Sequence, residues 1–327
     1  MTRRLAVRGV VLSGTGGIWR VRTEDGETVD ASLRGRLKKS NSGRRADGSL
    51  RRDTVSAAAQ TLKLAVGDDV HLERAAPDDD WAIAEILPRR SKLARRSPGG
   101  GHGERVLAAN VDQVVVMFAV AKPEPHPRML DRFLVIAEAN DIAARIIINK
   151  VELVGEAATR ERFDAYERAG YPVHYTSVKT ELGLESVRDA LRGRRSVVTG
   201  PSGVGKSSLL NALFPGADLR VGAISESVNK GRHTTVGAVM LPLPGGDDGY
   251  VIDTPGLREV GLWALPAAEL DRCFPEMRGL LDKCRFGDCR HVGEPDCAVR
   301  EGVRTGAVSS ERYDSYVQLL EELEGAP

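Results

Sequence analysis

The run Gly200-Pro201-Ser202-Gly203-Val204-Gly205-Lys206-Ser207 constrains this chain more than any other feature. It fits G-x-x-x-x-G-K-[ST], follows the apolar stretch Ser196-Val197-Val198-Thr199 and opens a helical pattern over 207–214. A strand, a glycine-rich turn and a helix in that order make a phosphate-binding loop. Its glycines let backbone amides turn inward, and the helix N-terminus adds partial positive charge. Lys206 is then expected at the β- and γ-phosphates and the Ser207 hydroxyl on Mg²⁺. Such a loop needs a parallel α/β sheet around it. Continuous apolar runs at 112–120, 145–148, 196–199 and 250–252 supply the strands, with helical patterns at 157–169, 184–192 and 207–214 between them.

The loop specifies a nucleoside triphosphate; the base is specified elsewhere. Asn149-Lys150-Val151-Glu152 ends the 145–148 strand. GTPases carry N-K-x-D there, and its carboxylate accepts from guanine N1–H and the exocyclic amine. Adenine lacks that donor pair, so the wrong base leaves polar groups unpaired. Glu152 keeps the carboxylate but moves it by about one methylene. Thr176-Ser177-Val178-Lys179 resembles the companion S-A-K element. Asp253-Thr254-Pro255-Gly256 supplies D-x-x-G: Asp253 is expected to hold Mg²⁺ through water, and the Gly256 amide to sense the γ-phosphate. Between them, Lys230-Gly231-Arg232-His233-Thr234-Thr235 offers a switch threonine, Thr234 or Thr235, to complete the Mg²⁺ shell. Ordinary GTPases begin with the phosphate loop and end with the base-reading elements. Here the base-reading elements come first, which makes this a circularly permuted GTPase, its ends moved within an unchanged sheet. The competing reading is a P-loop ATPase or kinase with an RNA-binding appendage, and a nucleotide competition assay separates the two. A third, an RNA-binding module with a relic nucleotide site, is opposed by the intact Lys206, Ser207 and Asp253.

Composition decides what surrounds that domain. Residues are 41% hydrophobic and 28% charged, which excludes wholesale disorder. No apolar run reaches the ~18 residues of a membrane span, and Arg8 interrupts any leader-like stretch, so a cytoplasmic protein without membrane contact is expected. The first 105 residues hold 21 basic and 14 acidic side chains, net +7, leaving the remainder at −6. Arg34, Arg36, Lys38, Lys39, Arg44, Arg45, Arg51 and Arg52 crowd into one run beside a single acid, Asp47. That pattern suits a phosphate-facing surface or a solvated basic loop. Short alternating stretches in 5–35, then at 67–72 and 81–87, with turn signals between, predict a small β-barrel of the OB type. Residues 97–103, Ser-Pro-Gly-Gly-Gly-His-Gly, read as a linker.

After about 266 the chain becomes cysteine-containing. Cys284, Cys289, His291 and Cys297 fall within fourteen residues, and three thiols with one imidazole suit a closed structural Zn²⁺. Cys273 lies outside that spacing and reads as a buried thiol. A final helix, capped by Ser309 or Ser310, places Tyr313, Tyr316, Val317, Leu320 and Leu323 on one face, suited to docking on the preceding domain.

Basic barrel, permuted GTPase and three-Cys-one-His segment together resemble the ribosome small subunit-dependent GTPase A family (RsgA, also called YjeQ or YloQ). The motifs that carry the resemblance are Gly200 through Ser208, Arg232-His233-Thr234-Thr235, Asp253 through Gly256, the cysteine spacing and Ala109-Asn110-Val111-Asp112-Gln113. Glu152 and the basic insertion near 38–60 depart from it. The resemblance implies an OB-fold RNA-binding domain over 1–98, a permuted GTPase domain over 99–265 and a zinc-binding helical domain over 266–327. It also implies a monomeric late assembly factor that binds 16S rRNA on the small ribosomal subunit and leaves upon GTP hydrolysis to GDP. Leu257 follows D-x-x-G where Ras-type GTPases position the attacking water with Gln. His233, beside Thr234 and Thr235, is the candidate to replace it, since imidazole accepts a proton near neutral pH.

Overall fold

The computed structural model describes residues 5–34, 63–74, 76, 79–96, 104–215, 238–245, 249–254 and 265–325. Most of the basic run (beyond Arg34), the glycine linker 97–103, His233, Thr234, Thr235, Gly256 and Leu257 lie outside the described residues.

Five strands close the N-terminal barrel: β1 (Leu5–Thr15), β2 (Ile18–Thr23), β3 (Thr28–Leu33), β4 (Asp69–Arg74) and β5 (Trp81–Ile86). Their order is β1-β2-β3-β5-β4, with β4 returning to β1 and with β3 and β5 parallel, as an OB barrel requires. Alternation sends Val11, Val21, Val70, Leu72 and Ile83 inward, each fully buried. A two-stranded ribbon follows, β6 (Lys92–Arg96) against β7 (Glu104–Ala109). Sequence reading gave only the linker at its tip, because Lys92-Leu93-Ala94-Arg95-Arg96 has too few apolar residues to alternate visibly.

The GTPase sheet contains β8 (Gln113–Ala119), β9 (Ala143–Asn149), β10 (Val173–Tyr175), β11 (Arg195–Thr199), β12 (Val239–Pro242) and β13 (Tyr250–Asp253). Spatial order is β10-β9-β8-β11-β13-β12, all parallel except β12. Every residue of β8 is buried, which explains its unbroken apolar run. Helices α1 (Pro127–Glu138), α2 (Glu156–Arg168), α3 (Leu184–Leu191) and α4 (Lys206–Leu213) connect the strands. Read from β11, the chain runs through β12 and β13 on one side, then β8, β9 and β10 on the other. The permutation therefore leaves the sheet intact: β11, which carries the phosphate loop, sits between the D-x-x-G strand and the strand beside N-K-x-E.

The C-terminal segment has three helices, α5 (Pro275–Leu281), α6 (Ala298–Arg304) and α7 (Ser310–Gly325). Helix α7 docks on α1, as the apolar stripe suggested, yet its most buried side chains are Arg312, Ser315, Tyr316, Leu319 and Leu320. Tyr313, Val317 and Leu323 lie at the edge of that face. Periodicity missed the shift because the residue at its centre is an arginine. The Arg312 guanidinium meets Asp131 of α1 and Glu276 of α5 at 2.5 and 2.7 Å, with all three side chains at most 7% exposed. No helix among the described residues is long and apolar enough to cross a membrane.

Candidate nucleotide and metal sites

β11 ends in Thr199, and Gly200 begins the turn with φ +138°. A Cβ at Gly200 would lie 2.0 Å from the Met117 carbonyl oxygen, so the loop can start only as glycine, tight against β8. Gly205, at φ +97°, caps α4, and a Cβ there would sit 2.6 Å from Asn149 Nδ2. That close approach lets Asn149 work as a brace. Its amide donates to Val204 O at 2.9 Å and its carbonyl accepts from Thr176 Oγ1 at 3.1 Å, both buried. Thr176 in turn donates its N–H to Ile148 O of β9. One side chain thus ties N-K-x-E, the phosphate loop and the segment after β10 together.

Lys150 reinforces the brace. Its backbone is left-handed (φ +62°), and its ammonium donates to Gly203 O at 2.7 Å and to Lys122 O. Lys206 is buried, with Nζ 2.9 Å from Gly200 O and 2.6 Å from Pro201 O. Its charge is therefore placed inside the ring of loop carbonyls, over the start of α4. Val204 is buried beneath the loop, while Ser202, Gly203 and Ser208 are exposed.

Glu152 lies exposed on a single 3₁₀ turn, Val151–Leu153, one residue beyond Lys150. Val151 is buried and donates its N–H to Thr176 O at 3.2 Å. Ser177 is buried and its hydroxyl accepts from the Thr180 amide, folding the turn that presents Val178 and exposed Lys179. Both base-reading elements thus leave the same edge of the sheet on adjacent strands β9 and β10. Asp253 ends β13, buried at 7% exposure, and β13 pairs with β11, so Asp253 and the phosphate loop leading to Ser207 leave neighbouring strand ends. Hydroxyl and carboxylate oxygens are the hard donors Mg²⁺ takes. Thr235 and Gly256, assigned to the same phosphate chemistry, fall outside the described residues.

The second site lies in the C-terminal segment. One donor atom from each of Cys284, Cys289, His291 and Cys297 falls within 4.8 Å of the others. Cys284 follows α5 and Cys297 precedes α6, while the loop between is held by Glu294, whose carboxylate accepts from the amides of Arg290, Val292 and Gly293 at 3.0–3.1 Å. Partial burial pushes that carboxyl up, but these amides outweigh it and hold it at about 2. His291 has a left-handed backbone, φ +64°. Its Nδ1 faces Cys284 Sγ at 3.5 Å and Cys297 Sγ at 3.4 Å. Three sulfurs and one imidazole nitrogen converging this closely fit a tetrahedral Zn²⁺ with no open position. Cys273 stands apart; burial pushes its thiol up to about 12.

A third cluster went unseen in the sequence. Asn110 (φ +53°) bonds Gly67 O and Asp69 of the barrel, and accepts from the Arg90 amide. Arg195, the first residue of β11, forms a 2.7 Å ion pair with Asp69. Asp68 is fully buried against Arg89 at 2.6 Å. The partners are up to 126 residues apart, and the only sequence signal was the Ala109-Asn110-Val111-Asp112-Gln113 entry.

Residues 86–263 match the model of the RsgA GTPase family. A curated protein of Gemmatimonas aurantiaca, the small ribosomal subunit biogenesis GTPase RsgA, is 57% identical over 318 residues, 97% of each chain. The protein of that name from Bacteroides fragilis is 35% identical over 97% of each chain. Among solved structures, YjeQ from Thermotoga maritima superposes with a TM-score of 0.76 at 34% identity, covering 99% of this chain and all of the other. YloQ, described as a circularly permuted GTPase, gives 0.70 at 26% identity over 99% and 97%.

Proposed function

The chain belongs to the RsgA GTPase family, a GTP hydrolase, and from that membership we propose that it matures the small ribosomal subunit, binding it with GTP and leaving on hydrolysis. The observation that carries this reading is the pair of hydrogen bonds by which Asn149 donates to Val204 O and accepts from Thr176 Oγ1, which makes guanine-reading and phosphate-reading elements one site. Asn149, Lys150, Glu152 and the Ser177-Val178-Lys179 turn hold the base; Gly200 through Ser208 hold the phosphates. Glu152, although longer than aspartate, keeps the acceptor pair that guanine demands. Ser207, Thr235 and Asp253 hold Mg²⁺, which when bound neutralises phosphate charge. Cys284, Cys289, His291 and Cys297 hold a structural Zn²⁺, which when bound fixes the C-terminal loop.

The barrel and its basic run face 16S rRNA phosphates, as the +7 charge of the first 105 residues suits. Domains over 1–98, 99–265 and 266–327 divide the work, the protein acting as a cytoplasmic monomer. His233 orients the attacking water that Leu257 cannot, with the bound subunit bringing it to the γ-phosphate. Purified small subunits added to a GTP turnover assay test the proposal. Turnover is expected to be slow alone and to rise on addition, with His233→Ala losing about 10²–10⁴-fold of the stimulated rate. Turnover indifferent to the subunit, or binding indifferent to salt and to reversal of Arg44, Arg45, Arg51 and Arg52, sinks it.

A further inference from the structure

His291 presents two ring nitrogens, and they meet different partners. Nδ1 faces the sulfurs of Cys284 and Cys297; Nε2 faces Asp271 Oδ2 at 3.3 Å. Asp271 lies outside the cysteine spacing, in the 3₁₀ turn Asp271–Cys273 that precedes α5. Its other oxygen, Oδ1, accepts from the Arg272 amide at 2.7 Å, so the carboxylate is aimed rather than free to swing. Leu270 and Phe274 on either side of the turn are fully buried, which anchors it.

Resting on the zinc reading of Cys284, Cys289, His291 and Cys297, we infer that Asp271 is the positioning residue of that site: it accepts the Nε2–H of His291 and thereby commits Nδ1 to the metal. A neutral imidazole carries one N–H, and the nitrogen that keeps it cannot bind metal. A carboxylate 3.3 Å from Nε2 holds the proton there, fixes the ring plane and makes Nδ1 the better donor. The other tautomer, with its proton on Nδ1, would point an N–H at the sulfurs and leave Asp271 facing the bare lone pair of Nε2, acceptor against acceptor. The backbone is fitted to the same arrangement. Tyr313 and Tyr316 of α7 donate their hydroxyls to His291 O at 2.6 Å and Arg290 O at 2.9 Å, which steadies the left-handed turn at His291. The ring itself is 2% exposed, so no water competes for Nε2. The same bond joins the metal loop to the chain arriving from the GTPase.

The test uses the full chain with zinc as the probe. Metal analysis of the wild type comes first: less than one equivalent of zinc overturns both this inference and the zinc reading. With one equivalent bound, long-range ¹⁵N–¹H correlation spectra of the imidazoles should show His291 with Nδ1 on the metal and a slowly exchanging proton on Nε2. Metal on Nε2 overturns the inference while leaving the zinc reading intact. Chelator competition should then show Asp271→Ala binding zinc about 10–100-fold more weakly. Asp271→Asn should fall between, since its amide oxygen still accepts but carries no charge. If Asp271→Ala does not fold, the wild-type spectrum and the Asp271→Asn affinity still decide. Wild-type zinc affinity in a folded Asp271→Ala or Asp271→Asn protein overturns the assignment.

Discussion

Where the barrel meets the GTPase sheet, Val10, Leu12 and Val66 join the GTPase's apolar cluster, and charged and polar pairs rim them: Asp69 with Arg195, Asn110 with Gly67 O, Arg90 with Asp112. Where the C-terminal segment meets the same sheet, Leu270, Phe274, Met277, Tyr316, Leu319 and Leu320 share one apolar cluster with α1 and β9. The barrel also encloses a cluster of its own, Val11 through Ile83, separate from the GTPase. Among the described residues, the C-terminal segment has no separate cluster: its buried apolar side chains belong to the GTPase core. The barrel is thus a neighbour that is bolted on, whereas the C-terminal segment is part of the wall. A metal loop, two seven-residue helices and one longer helix make too small a unit for a core of its own, so the segment borrows the flank of α1.

Stripping zinc should break this contrast most sharply. Structural zinc contributes on the order of 10 kcal/mol to such small units. Chelation, or Cys289→Ser, should expose 265–325 to protease and lower the melting temperature of the GTPase with it, while the barrel stays resistant. A zinc-free protein with unchanged proteolysis would mean that the helices hold without the metal.

Arg312→Met comes next. The arginine is 2% exposed, and its partners Asp131 and Glu276 are 0% and 7% exposed. Tyr166, Tyr171 and Phe274 ring the guanidinium at 4.7–5.6 Å. Burial already pushes the Asp131 carboxyl upward against the pull of Arg312, so losing the cation leaves two acids stranded. Denaturant unfolding should show a loss of about 3–5 kcal/mol. A triple change that also makes Asp131 and Glu276 apolar should recover much of it, since the buried charges go together.

At the other seam, Asp69→Asn should cost much less, about 1 kcal/mol, because the Asp69 side chain is 33% exposed and partly screened. Its signature is qualitative: the barrel should begin to unfold separately, seen as a second transition in calorimetry. A loss as large as that of Arg312→Met would refute the comparison.

The last effect vanishes at neutral pH and concerns acid. Burial, helped by Arg145 at 3.1 Å, lowers His174 to about 4. The folded state keeps the ring neutral, while the unfolded chain takes up a proton below about 6.5. Stability therefore falls as pH drops from 6.5 toward 4. His174→Gln should flatten that slope for the GTPase transition and leave any barrel transition unmoved.

Legibility in the sequence followed range. The phosphate loop, N-K-x-E, D-x-x-G and the cysteine cluster were readable because each packs its chemistry into a few consecutive residues that backbone geometry demands. The permuted order, too, was a property of the linear string. Asp271, Arg312 and the Asp69–Arg195 pair were not readable. Each acts on a partner 20 to 181 residues away, and in its local window each looks like an ordinary surface charge. Arg312 misled most, since a charge at the centre of an apolar stripe displaces the apparent face of α7 by one residue.

β11 has five residues, about 17 Å of extended chain. Its first residue is gripped by the barrel through Asp69, and its last opens the phosphate loop. The strand is therefore a spacer bar of set length. The Asp69–Arg195 pair and the five-residue strand therefore act as a gauge between barrel and phosphate loop: on the function proposed above, the height of the nucleotide over the rRNA is set by the length of one strand.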